Sequence, residues 1–176
     1  NTANVEDMNA LFYSWNGDIS DISGLKNWNT AKVTDMSSMF VGSGFEDVEA
    51  LSNWNTSNVT NMSYMFGDGD TGSNIKKIDG ITNWDVSKVA NMQGMFYTCS
   101  ITDLSAISKW NVSNVTCMDS MFFGCSELTG ASGINNWDIT KVESFSSMFW
   151  NSPTHPEFTK VTGTWDDSGT FTPTTE

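Results

Sequence analysis

The densest group of ligating oxygens lies between residues 67 and 74, in Gly-Asp-Gly-Asp-Thr-Gly-Ser-Asn. Asp68, Asp70 and Asn74 follow the alternate-residue oxygen spacing of calcium loops, and Gly72 permits the turn such loops need. The distal bidentate acid of an EF-hand is missing, although Asp79 follows closely. Calcium is the one cofactor these residues suggest; an acidic glycine-rich turn without metal is the plainer account of them. Other reactive side chains are sparse. The single histidine, His155, sits in Pro-Thr-His-Pro, so no histidine-based triad and no ordinary zinc site can be assembled. Of three cysteines, Cys99 and Cys125 occupy equivalent positions of adjacent units and Cys117 precedes Cys125; they read as buried free thiols. Carboxylates are plentiful, but no pair stands at a distinguishing spacing. The expectation is a protein that is not an enzyme.

The 176 residues include 8 lysines and no arginine against 21 acidic residues, giving a formal charge of −13 and a pI near 4.1. A nucleic-acid partner requires a basic footprint that displaces counterions from phosphate, and this chain has the opposite sign. Anionic headgroups are disfavoured for the same reason. No apolar run approaches the roughly 18 residues that cross a bilayer, so this segment is not expected to insert in a membrane.

The remaining composition is that of a repeat. Trp28, Trp54, Trp84, Trp110, Trp137 and Trp165 recur 26 to 30 residues apart. After each of the first five runs one pattern, seen in WNTSNVTNMSYMF at 54–66 and WDVSKVANMQGMF at 84–96. NTANVEDMNALF at 1–12 is the same pattern without its tryptophan, which makes the sequence read as part of a longer array. Before each tryptophan an apolar residue falls every third position, as in Ile75, Ile78 and Ile81. Length varies only in the segments between Met-Phe and the next triplet, where loops tolerate insertion.

A unit this short cannot bury a core alone and must stack on its neighbours. Ile81, Trp84, Val86 and Val89 match the leucine-rich-repeat spacing. Alternation across Trp84-Asp85-Val86 predicts a short strand of a parallel sheet, with Trp and Val inward. Val59, Met62, Met65 and Phe66 fall at i, i+3, i+6 and i+7, which predicts one apolar stripe on a short helix. The expected fold is an α/β solenoid: a right-handed leucine-rich-repeat-like coil of about six 26–30-residue units, short parallel strands on one face and short helices on the other. Residues 1–150 form the array, with units starting at 1, 28, 54, 84, 110 and 137. Residues 151–176 read as a degenerate C-terminal cap and a Thr/Pro-rich tail.

The W-[ND]-x-S-x-V-x-x-M-x-x-M-F unit resembles the BspA-like leucine-rich-repeat region of mycoplasma-type and other bacterial surface proteins. The resemblance covers residues 1 to about 150. It implies an extracellular module of a longer cell-surface protein, associated with adhesion and contact with host or matrix. It implies no catalytic residues.

The outward positions of the predicted strands are the candidate surface. One column holds Asn27, Asn53, Asn83, Lys109 and Asn136; the next holds Asn29, Asn55, Asp85, Asn111 and Asp138; a third holds Ala31, Ser57, Ser87, Ser113 and Thr140. Parallel pairing would space them about 4.7–4.9 Å apart. Such ladders suit an extracellular protein or glycan partner. They also suit two other roles: a purely structural stalk in which the amides only satisfy turns, and an ice-binding face, against which strongly hydrated Asp and Lys and the scarcity of Thr both argue.

Overall fold

The computed structural model describes residues 2–13, 19–67, 69 and 72–174. It corrects the predicted architecture. Among the described residues there is no α-helix, and the only strands, Gly163–Trp165 and Phe171–Pro173, pair antiparallel in one two-stranded sheet. Neither the parallel sheet nor the helical face of the expected α/β solenoid forms, and most of the chain is turn and irregular backbone.

Local chemistry explains both failures. In the predicted helix the second residue between the two methionines has a left-handed backbone: Ala10, Ser38, Tyr64, Ser120 and Ser147 have φ between 52° and 54°, and Gly94 has 58°. One such residue ends a right-handed helix. Its amide turns outward and donates to the following repeat, as Ser38 N does to Ser63 O at 2.8 Å and Tyr64 N to Gln93 O at 2.7 Å. Neighbouring amides do the same: Met62 N reaches Asn91 O and Phe66 N reaches Met95 O, both at 3.0 Å. The stripe Val59, Met62, Met65 and Phe66 is fully buried, but by a turn and not a helix.

The predicted strand is cut short by its own polar residue. The Asp85 carboxylate accepts the Ser87 amide at 3.0 Å, folding the chain into a turn directly after Trp84. Parallel pairing instead occurs as isolated bridges: one series runs through the segment expected to be helical, at Asp7, Asp35, Asn61, Asn91, Cys117 and Ser144, and others join Asp47 to Lys77, Ser73 to Cys99 and Asp103 to Gly130 before the tryptophans. The backbone bridges between repeats therefore lie outside the predicted Trp-x-Val strand.

The apolar triplets fold into 3-10 turns, at Ser23–Asn27, Glu49–Leu51, Asp79–Ile81, Ser105–Ile107 and Ser132–Ile134. A three-residue period suits a 3-10 turn, in which i and i+3 eclipse. Each closes on the tryptophan, whose amide donates to the last apolar carbonyl: Trp54 N to Leu51 O at 3.0 Å, Trp84 N to Ile81 O at 3.1 Å. The indole N–H then crosses to the preceding repeat. Trp54, Trp84, Trp110 and Trp137 donate to the carbonyls of Leu25, Leu51, Ile81 and Ile107 at 3.0 to 3.2 Å.

The core is a set of stacked columns between these turns and the bridges. Phe12, Phe40, Phe66, Phe96, Phe122 and Phe149 lie face to face with centroids 5.0 to 5.8 Å apart. Trp28, Trp54 and Trp84 stack beside them at 6.3 and 6.4 Å. The methionines fill the remaining gaps, as their flexible thioethers allow.

The antiparallel hairpin covers the last repeat. Trp165 packs edge-on against Phe149 at 5.2 Å, and Phe171 against Phe145 at 5.3 Å. The hairpin turn supplies the acceptor that a further repeat would have offered, since Phe149 N donates to Gly169 O at 2.9 Å. Gly169 has φ +65°, and a Cβ there would overlap the Phe149 and Trp150 backbone.

Candidate functional site

The three outward polar columns run along the turns that follow the 3-10 segments. Asn29, Asn55, Asp85, Asn111 and Asp138 share one local job. Each Oδ1 accepts the amide two residues on, from Ala31, Ser57, Ser87, Ser113 and Thr140, at 3.0 to 3.3 Å. Only an oxygen acceptor is needed, so Asn and Asp interchange in this column. The hydroxyls of Ser57 and Thr140 also donate to that oxygen, at 2.7 Å. Ser57, Ser87 and Ser113 are half-buried beside it.

These contacts set the charge state. The Ser87 hydroxyl, then its amide, hold the Asp85 carboxyl below the usual carboxylate range, and Thr140 does the same for Asp138. The carboxylates remain ionised while turned into local structure.

The column Asn27, Asn53, Asn83 and Asn136 is different. All four are exposed. Asn136 accepts a hydrogen bond from the Thr159 hydroxyl at 2.9 Å, whereas Asn27, Asn53 and Asn83 make no side-chain hydrogen bond among the described residues. Their amides face solvent with donors and acceptors unused.

The suggested calcium residues Asp68 and Asp70 lie outside the described residues. Asn74 is exposed. Among the described residues no three His, Cys, Asp or Glu side chains are grouped to hold a metal. Cys99, Cys117 and Cys125 are free thiols. Cys99 and Cys125 are buried and donate to the carbonyls of Phe66 and Phe96, one repeat back. Burial raises the Cys125 thiol well above its ordinary value, so it is held neutral.

The structure brings out three further columns. Bridge residues Asp35 and Asn61 join through Asn61 Nδ2 and Asp35 Oδ2 at 3.0 Å, and each accepts its own i+2 amide. Tyr97, Phe123 and Trp150 form a partly exposed stack at 4.5 and 4.6 Å, ending in Trp150 at 43% exposure. Asn4, Lys32, Asn58, Lys88, Asn114 and Lys141 form an alternating row linked from repeat to repeat. Its signal is visible in the sequence as a strict alternation just before each valine.

No helix among the described residues is long and apolar enough to cross a membrane. No curated protein and no solved structure matches the chain. A family model does match, in two successive stretches covering residues 1–77 and 71–172, which together span nearly all of the sequence. The chain therefore belongs to the family described as Mycoplasma protein of unknown function, DUF285.

Proposed function

We propose that the chain is a BspA-like extracellular repeat module of a cell-surface protein, engaging a protein or glycan ligand through its exposed polar columns. The observation that carries this reading is the unengaged amide row of Asn27, Asn53 and Asn83. An amide presents both a donor and an acceptor, and its repetition at Asn27, Asn53 and Asn83 offers the same pair of groups to successive units of an extended ligand. The overall negative charge favours a neutral or cationic ligand over an anionic one.

A stalk or spacer is the second reading, favoured by a separate observation. The neighbouring column of Asn29, Asn55, Asp85, Asn111 and Asp138 is consumed in its own turns, which is what a self-supporting rod needs.

The deciding experiment probes arrays of glycans and matrix proteins with the chain, with and without calcium, beside an Asn27→Ala/Asn53→Ala/Asn83→Ala variant. Saturable binding that the triple variant loses supports the module. Absence of any saturable ligand, or binding that the variant keeps in full, sinks the amide row as the site and leaves the stalk.

A further inference from the structure

The alternating Asn/Lys row is linked by lysines. Lys32 Nζ donates to Asn4 Oδ1 at 2.8 Å, Lys88 to Asn58 at 2.7 Å and Lys141 to Asn114 at 2.6 Å, each reaching one repeat back. The asparagines reach back too, but to backbone: Asn58 Nδ2 donates to Ala31 O and Asn114 Nδ2 to Ser87 O, both at 2.8 Å. The two residue types therefore have unequal requirements. Asparagine carries a donor and an acceptor, needs only a backbone carbonyl beneath it, and leaves Oδ1 free for the repeat above. Lysine carries donors alone, and in all three lysine repeats the ammonium donates to the Oδ1 of the asparagine beneath it.

Two asparagine repeats can follow one another under these rules. Two lysine repeats in succession would lose the side-chain acceptor and set their ammonium groups at about the 4.8 Å spacing of adjacent strands. Like charges placed directly opposite are destabilising. From residue 55 onward a second column follows the same alternation. Asp85 and Asp138 occur in the lysine repeats of Lys88 and Lys141, while the asparagine repeats of Asn58 and Asn114 carry neutral Asn55 and Asn111.

We propose that the Asn/Lys column is a register device that admits a lysine repeat only on top of an asparagine repeat, so that no two lysine repeats stand next to each other in the array. A lysine repeat can then be removed, or an asparagine repeat duplicated, with the ladder intact, whereas removing an internal asparagine repeat or duplicating a lysine repeat sets lysine on lysine.

The test is thermal unfolding of the full chain carrying Asn58→Lys, with three comparisons. Asn58→Ala removes the amide without adding charge. Asn53→Lys adds the same charge at an exposed position of the same repeat, in a column where Lys109 is already accepted. The triple variant Lys32→Asn/Asn58→Lys/Lys88→Asn restores an asparagine beneath every lysine while keeping Lys at position 58.

Asn58→Lys is expected to lower Tm by about 2–4 °C relative to Asn53→Lys, a shift typical of a single lost interaction in a chain of this size. It should also fall below Asn58→Ala. The deficit should shrink at about 1 M salt, where charges are screened within about 3 Å, and the triple variant should recover. Equal Tm for Asn58→Lys and Asn53→Lys overturns the proposal, as does a triple variant that stays as unstable as Asn58→Lys. If Asn58→Lys does not fold, the triple variant decides: folding supports the register device and failure overturns it.

Discussion

The indole N–H of Trp84 donates to the carbonyl of Leu51 at 3.1 Å, across the boundary between two repeats. Trp84 is thereby both the largest core side chain of its own unit and the polar tie to the 3-10 turn before it. Its ring also stacks on Trp54 and Phe66. Replacing Trp84 with Phe removes the inter-repeat donor, leaves the Leu51 carbonyl with the Trp54 amide alone and opens a void. The expected loss is about 2–4 kcal/mol. Trp28→Phe should cost less, because Trp28 is only half-buried and its indole donates to no carbonyl among the described residues. Urea unfolding of the two variants measures the difference, and equal losses would show that the inter-repeat bond contributes nothing.

Glycine matters where turn stacks on turn. A Cβ on Gly80 would lie 2.6 Å from both Glu49 Cα and Val48 O, backbone that cannot swing aside. At Gly24, the equivalent position of an earlier unit, a Cβ meets nothing within 4 Å. Gly80→Ala should therefore destabilise by about 1–3 kcal/mol, as overpacking does, while Gly24→Ala stays neutral. Paired denaturation curves check this.

The left-handed residues make a separate prediction. Ser120 has φ 54° and its amide donates to Ser146 O at 2.8 Å. A β-branched side chain is least tolerated there, so Ser120→Val should lose about 1–2 kcal/mol. Ser120→Gly should match or exceed the wild type, since Gly94 occupies the same position naturally. A Val variant as stable as the Gly variant would contradict the left-handed assignment.

Acid should unfold the turns in a defined direction. Asp21, Asp85, Asp138 and Asp166 all have carboxyl pKa values below their ordinary value; hydrogen bonds from Ser23, Ser87, Thr140 and Ser168 are the leading causes. A group whose pKa is depressed in the folded state adds stability above its unfolded pKa. That contribution disappears as pH falls through the folded value. The loss belongs below about pH 4, the ordinary aspartate range. The fourfold Asp→Asn variant keeps the Oδ1 acceptors without the titration, so its acid-unfolding midpoint, followed by tryptophan fluorescence, should lie at lower pH than that of the wild type.

Thiol accessibility gives a final check. Cys99 and Cys125 are buried, while Cys117 is half-buried with its pKa raised chiefly by desolvation. A disulfide-exchange reagent should titrate Cys117 slowly in the native protein and reach the other two thiols only in denaturant. Rapid reaction of all three would mean that the repeats open readily.

Residue type and period alone identify most of the core. The Trp, Met and Phe columns read as core because an inward position recurs with one residue type in every unit, and Met62, Met65 and Phe66 are indeed fully buried. The outward Asn and Asp columns are equally visible in the sequence, but their consumed and free members are not distinguishable there. That distinction depends on whether Oδ1 meets an amide two residues on, as in Asp85, or faces water, as in Asn83.

The sequence by itself determined the repeat, its register, the buried set and the excess negative charge, because these follow from residue type and period. Only the tertiary structure decided which backbone bonds hold the repeats together. A stripe at i, i+3, i+6 and i+7 is compatible with a helix and equally with a tight turn around a left-handed residue. Nothing in the side chains of Ser38, Tyr64 or Ser120 announces that conformation. The choice is made by the next repeat, whose carbonyls at Ser63, Gln93 and Ser146 accept the amides that a helix would have kept within its own turn. A local pattern could not show that competition because the acceptors that win it lie 25 to 29 residues away.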